Sequence, residues 1–170
     1  MKNKNTIISI ITIIIIFAGL IFIAKPNQNK NEKADAAPIA VSSASALEAA
    51  ETFFNFEDVS MANGKVRHEF KVKNNTVNPI NIAKLYTSCM CTSASITVGE
   101  NKKGPFGMPG HAAVPKANML IGAGEEAIIT AEFDPNAHGP AGVGRIEREI
   151  YLEDDAGAKT TLKFEATVKP

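Results

Sequence analysis

Residues 66–73 read Val-Arg-His-Glu-Phe-Lys-Val-Lys, and their strict alternation decides the fold class. Val66, His68, Phe70 and Val72 fall on one side of an extended chain and Arg67, Glu69, Lys71 and Lys73 on the other, because successive side chains of a strand point to opposite faces. One face is apolar and the other is wet. The same period of two recurs in both directions from this stretch. Upstream, Thr52, Phe54 and Phe56 share one side of a first strand. Downstream, Asn74-Asn75-Thr76-Val77-Asn78-Pro79 has the composition of a turn. Ile80 and Ile82 open a strand whose alternation slips around Ala83-Lys84-Leu85, as a bulge makes it do. Residues 128–133, 146–152 and 162–168 supply three further strands, the last with Leu162, Phe164, Ala166 and Val168 facing one way. Asp154-Asp155 followed by Gly157 reads as a hairpin turn rather than a paired-carboxylate site. About seven short strands separated by turns predict an all-β domain, an immunoglobulin-like β-sandwich, over residues 51–170.

Ahead of that domain, residues 6–24 contain no charge for 19 residues, about 28 Å as a helix and close to the thickness of a bilayer core. Residues 1–25 are therefore expected to be a transmembrane helix that anchors the chain, or a signal segment that is cleaved. Residues 26–50 are polar and then rich in Ala and Ser, as a flexible linker would be. These segments place the chain in the cell membrane, single-pass, with its C-terminal domain outside the cytoplasm; the alternative is a protein secreted after signal cleavage.

Formal charge is balanced, with 18 basic and 18 acidic residues. No basic face interleaved with aromatic residues is present, which excludes the usual nucleic-acid platforms. Membrane contact through the N-terminal helix is the one partnership the composition argues for, and it identifies no protein partner.

Cys89 and Cys91 are the only two cysteines of the chain. On a strand they would point the same way with Cα atoms about 6.6 Å apart, at the outer limit for a disulfide. Two parallel thiolates can instead grip a soft metal ion, or the pair can pack as two small apolar groups in a core. The long connection 99–118 carries Met108-Pro109-Gly110-His111. Folded back, it would bring Met108 and His111 to the sulfurs, a soft donor set suited to Cu(I). His138, in the turn 134–140, is a second candidate imidazole, and two Cys with two His would shift the preference towards zinc. His68 sits on an apolar face and reads as a core-edge histidine, and Glu147-Arg148-Glu149 reads as a solvated strand face.

A resemblance covers roughly Phe53 to Val168. The order Asn55-Phe56-Glu57-Asp58-Val59, then Val66-x-His68-x-Phe70-x-Val72-x-Asn74, Thr87-Ser88-Cys89-x-Cys91-Thr92, Gly124-Glu125-Glu126 and Phe133-Asp134 resembles bacterial domain-of-unknown-function family fifteen seventy-three. The resemblance implies an immunoglobulin-like sandwich outside the cytoplasm with no established enzymatic role. Met90 stands where that family usually has Gly, and the connection 99–118 is longer than the family pattern. Pro109-Gly110-His111 is also similar to the copper loop of cupredoxins, but Phe106 and Pro115 occupy the places of that loop's Cys and Met ligands.

Three readings stay open. One is a membrane-anchored binding module, not an enzyme, that takes copper, or alternatively zinc, through Cys89, Cys91, Met108, His111 and His138. Another is a structural or interaction domain with core cysteines. The third is a thiol redox protein, weakened by the strand context, because redox thiols usually sit at a helix N-terminus.

Overall fold

The computed structural model describes residues 46–110 and 114–170. Within them the chain forms ten strands: β1 (Leu47–Ala49), β2 (Phe53–Ser60), β3 (Val66–Asn74), β4 (Ile80–Thr87), β5 (Thr92–Val98), β6 (Asn101–Phe106), β7 (Lys116–Ile121), β8 (Glu126–Phe133), β9 (Gly144–Asp154) and β10 (Lys159–Lys169). Two short 3-10 turns, Met61–Asn63 and Gly139–Gly142, are the only helical pieces among the described residues. No helix among them is long and apolar enough to cross a membrane. The apolar run expected to be an anchor lies outside the described residues.

The strands assemble as two five-stranded sheets, ordered β1-β3-β8-β5-β6 and β2-β10-β9-β4-β7. Every pairing is antiparallel except β2 with β10. The alternation read from the sequence explains the layering. Phe70 and Val72 of β3, Ile129 and Ala131 of β8 and Ile96 of β5 are fully buried on one inner face. Leu162 and Phe164 of β10, Ile150 and Leu152 of β9 and Leu85 of β4 are buried on the other. Together they form one core, in which each fully buried large side chain contributes about 1.5–3 kcal/mol. The slip in β4 is present, as a register shift between Ile82 and Lys84 against both its neighbours. His68 is the core-edge residue its position suggests: it stacks on Phe54 at 3.5 Å between ring centroids and its Nε2 lies 2.9 Å from the Glu51 carboxylate.

Asn74 shows how the turn after β3 is fixed. It is fully buried, and its amide donates to the carbonyls of Asn78 (2.8 Å), Ile121 (3.1 Å) and Gly122 (3.1 Å). Its Oδ1 accepts from the Thr76 N–H (3.0 Å) and hydroxyl (2.7 Å). A buried amide must satisfy its donors and acceptor internally, and doing so here ties the end of β3 in one sheet to the end of β7 in the other.

The strand layout departs from the sequence reading at several points. Among the described residues there are ten strands in place of about seven. The stretch expected as linker contributes β1, whose Leu47 and Ala49 pair with Asn74 and Val72. The connection 99–118 is not one long loop, since it forms β6 and the start of β7. β6 escaped detection because it is an edge strand exposed along nearly its whole length, so no inner face imposes alternation on Asn-Lys-Lys-Gly-Pro-Phe.

Candidate functional site

β4 ends in one sheet and β5 begins in the other, so the four residues between them cross from layer to layer at one end of the sandwich. Those residues are Ser88, Cys89, Met90 and Cys91. The expectation that the cysteines stand on a strand is therefore corrected: they occupy a tight turn, closed by the Thr92 N–H to the Cys89 carbonyl (3.1 Å). Buried Thr87 braces the turn from within, its hydroxyl lying 3.0 Å from the Cys89 carbonyl and 2.9 Å from that of Thr92. Ser88 fastens the turn to β9 by exchanging two bonds with Glu149, each 2.9 Å.

The turn curls the Cys91 N–H back to within 3.4 Å of the Cys89 Sγ. Both thiols are free. Cys91 is buried at 3% exposure and Cys89 is half-buried. His138 arrives from the segment after β8, and its Nε2 lies 3.2 Å from the Cys89 Sγ. That segment is built to hold it. Asp134 donates its N–H to the Cys91 carbonyl (2.9 Å) and accepts the Asn136 N–H on its side chain (2.9 Å), while Asn136 reaches the Met61 carbonyl (2.8 Å). A Cβ on Gly142 would come within 3.2 Å of the His138 Cβ, so a residue without a side chain lets this imidazole seat. The ligand atoms of Cys89, Cys91 and His138 all lie within 4.8 Å of one another.

A fourth group, Arg148 of β9, completes the cluster. Its Nε donates to the Cys91 Sγ at 3.1 Å, and a second nitrogen donates to the Glu147 carbonyl (2.7 Å). The reading of 147–149 as a solvated face is thus corrected at Arg148. The signal was in the alternation: Arg148 has the parity of Ile146, Ile150 and Leu152, and therefore the inward face of β9.

Electrostatics polarise the pair. Burial works to raise the Cys89 thiol, but hydrogen bonds from the Cys91 thiol, from His138 and from the Cys91 N–H, with the Arg148 charge, outweigh it and lower Cys89 to about 7. Burial first, and then its role as donor to Cys89, raise Cys91 despite Arg148. A hydrogen-bonded chain runs from the Arg148 guanidinium through Cys91 to a Cys89 sulfur that carries thiolate character at neutral pH.

Of the expected ligands, the structure brings together Cys89, Cys91 and His138. Met108 is 44% exposed on the segment after β6, where the neighbouring Gly107 carbonyl accepts the Thr87 N–H (3.3 Å). His111 lies outside the described residues.

Residues 47–107 match the family model described as protein of unknown function, DUF1573, so the resemblance read from the sequence holds over that stretch. The matched stretch takes in Cys89 and Cys91 and ends before His138 and Arg148. No curated protein matches the chain. Among solved structures, it is similar to a protein of unknown function from Porphyromonas gingivalis W83, with a TM-score of 0.52 and 11% identity over 78% of this chain and 51% of that one. It is also similar to a family 123 glycoside hydrolase from Clostridium perfringens (TM-score 0.48, 11% identity, 69% of this chain and 22% of that one). A further similarity is to the PapD-like domain 7 of human CEP192 (TM-score 0.39, 12% identity, 74% and 85%). The chain spans about half the length of the Porphyromonas protein, and the likeness to it is one of fold.

Proposed function

We propose that this chain is a membrane-anchored, extracytoplasmic binding module of immunoglobulin-like fold that holds one soft metal ion, Cu(I), between Cys89, Cys91 and His138. The observation that carries the reading is the convergence of two sulfurs and an imidazole nitrogen within 4.8 Å. Donors bound to one ion at about 2.0–2.3 Å sit roughly 3.5–4 Å apart, so closing the cluster on a metal asks for small side-chain shifts only.

Charge supports Cu(I) over the alternative, Zn(II). Two thiolates and a neutral imidazole around a monovalent ion carry one net negative charge, which the adjoining Arg148 cancels. Around a divalent ion the same four groups leave a net positive charge in a half-buried turn, which is the costlier arrangement. Thiolate ligands also favour Cu(I) by softness, and the Arg148 N–H to sulfur is the kind of outer contact that orients a ligand. The uncharged run at 6–24 and the polar stretch after it support the anchor and its tether.

The reading predicts that the reduced full chain takes up one equivalent of Cu(I), that Cys89→Ser and Cys91→Ser each abolish uptake, and that His138→Ala weakens it roughly tenfold or more. Undiminished uptake in both cysteine variants contradicts it.

The lowered Cys89 thiol, with an imidazole and a second thiol beside it, favours one other reading, a thiol redox protein. A Cys89–Cys91 disulfide that forms and is reduced reversibly, together with no Cu(I) uptake, would support that reading in its place.

A further inference from the structure

The outer face of the sheet β1-β3-β8-β5-β6 carries a second feature that the metal site does not use. Cross-strand pairing sets Glu69 of β3 beside Thr130 of β8, and Thr130 beside Ser95 of β5. Beyond Ser95 the edge strand β6 slips register, between Ala94 and Ile96 of its partner, and Gly104-Pro105 forms a wall there. A Cβ on Gly104 would lie 2.9 Å from both the Ser95 Oγ and the Ala94 carbonyl, at a φ of +115°, so the wall closes on Ser95 only with glycine at this position. The result is a groove of about 400 Å³, within the range of small-molecule sites.

Ser95 is only 9% exposed, lines this groove, and makes no side-chain hydrogen bond to any described residue. The buried side-chain atom left without a partner among the described residues is the Thr160 Oγ1, so the Ser95 hydroxyl is open to whatever fills the groove. The hydroxyls of Ser93 and Thr130 in the same lining are also free of partners among the described residues. Charge is distributed unevenly around them. The Glu132 carboxylate is occupied by Lys65 (2.9 Å) and by the Arg67 Nε (2.7 Å), whereas Glu69 on one side and Lys102 on the other have no ion-pair partner among the described residues.

We propose that this groove binds a short peptide of two or three residues with both termini free. Its α-carboxylate meets Lys102, its α-ammonium meets Glu69, and its peptide groups bond the hydroxyls of Ser95 and Thr130. The spacing fits: β3 and β6 are three strand intervals apart, about 14 Å, and the two long side chains reach inward to leave the length of two or three extended residues at about 3.3–3.6 Å each. Hydroxyls both donate and accept, as a peptide unit requires. A zwitterion also matches a groove whose unpaired charges are one of each sign, and no aromatic side chain lines it to stack a sugar ring.

The test is titration of the full chain with tri-alanine, followed by calorimetry and by amide NMR shifts. The expected result is saturable binding that weakens roughly tenfold or more on acetylating the amine, on amidating the carboxylate, and in Lys102→Ala and Glu69→Gln, with shifts centred on 93–95 and 130. Ser95→Ala weakens binding by less and Lys73→Ala leaves it unchanged. Absence of binding at millimolar peptide, binding indifferent to blocked termini, or equal binding of maltotriose overturns the proposal.

Discussion

The Arg148 Nε and the Cys91 Sγ are 3.1 Å apart, and this one contact joins the inward face of β9 to the turn that bears both thiols. A permanent cation beside a buried sulfur favours its thiolate, and in the proposed metal site it would count in the charge balance.

Replacing that cation should change metal preference. With Arg148→Gln the Cu(I) site keeps an unbalanced negative charge while the Zn(II) site becomes neutral. The ratio of Cu(I) to Zn(II) affinity is therefore expected to fall roughly tenfold. Competition titrations on wild type and variant measure it, and an unchanged ratio would remove the charge argument.

Thiol reactivity should follow pH. Cys89 is lowered to about 7 from 9.0 and Cys91 is raised, so alkylation by iodoacetamide is expected to label Cys89 first, with a rate that climbs through pH 7, and Cys91 only at higher pH. His138→Ala and Arg148→Gln should each move the Cys89 profile upward. Because the folded value lies below the unfolded one, the thiolate's contribution to stability is fully present above pH 9.0 and is lost as pH falls through about 7. Mass spectrometry of the labelled peptides reads the order.

Asn74→Ala should be among the most damaging single changes to the domain. It deprives three carbonyls of a donor and two Thr76 donors of an acceptor inside the core. The expected loss is about 2–4 kcal/mol, measured by urea unfolding. Asn75→Ala, at an exposed neighbour, should cost less than about 0.5 kcal/mol.

Much of this architecture was legible in the sequence, because an inner face enforces a period of two wherever a strand is half-buried. β3, β8 and β10 were readable on that ground, and the irregularity of β4 was readable as a break in the same pattern. β6 was not, since an edge strand with both faces wet has no pattern to enforce. In the cluster, two sulfurs and His138 could be nominated by residue type alone. Their geometry could not, because it depends on a turn that crosses between sheets, and Cys-Met-Cys reads equally as strand. Arg148 was visible in principle: a charged residue with the parity of Ile146, Ile150 and Leu152 is a charge on an inner face, and such a charge needs a partner.

X-ray absorption at the copper edge of the reduced full chain loaded with one equivalent of Cu(I) tests the central claim most directly. Two sulfur scatterers near 2.3 Å and one nitrogen near 2.0 Å, with both sulfurs kept and the nitrogen lost in His138→Ala, is the predicted result. A spectrum without sulfur at bonding distance, or one that His138→Ala leaves unaltered, would contradict it.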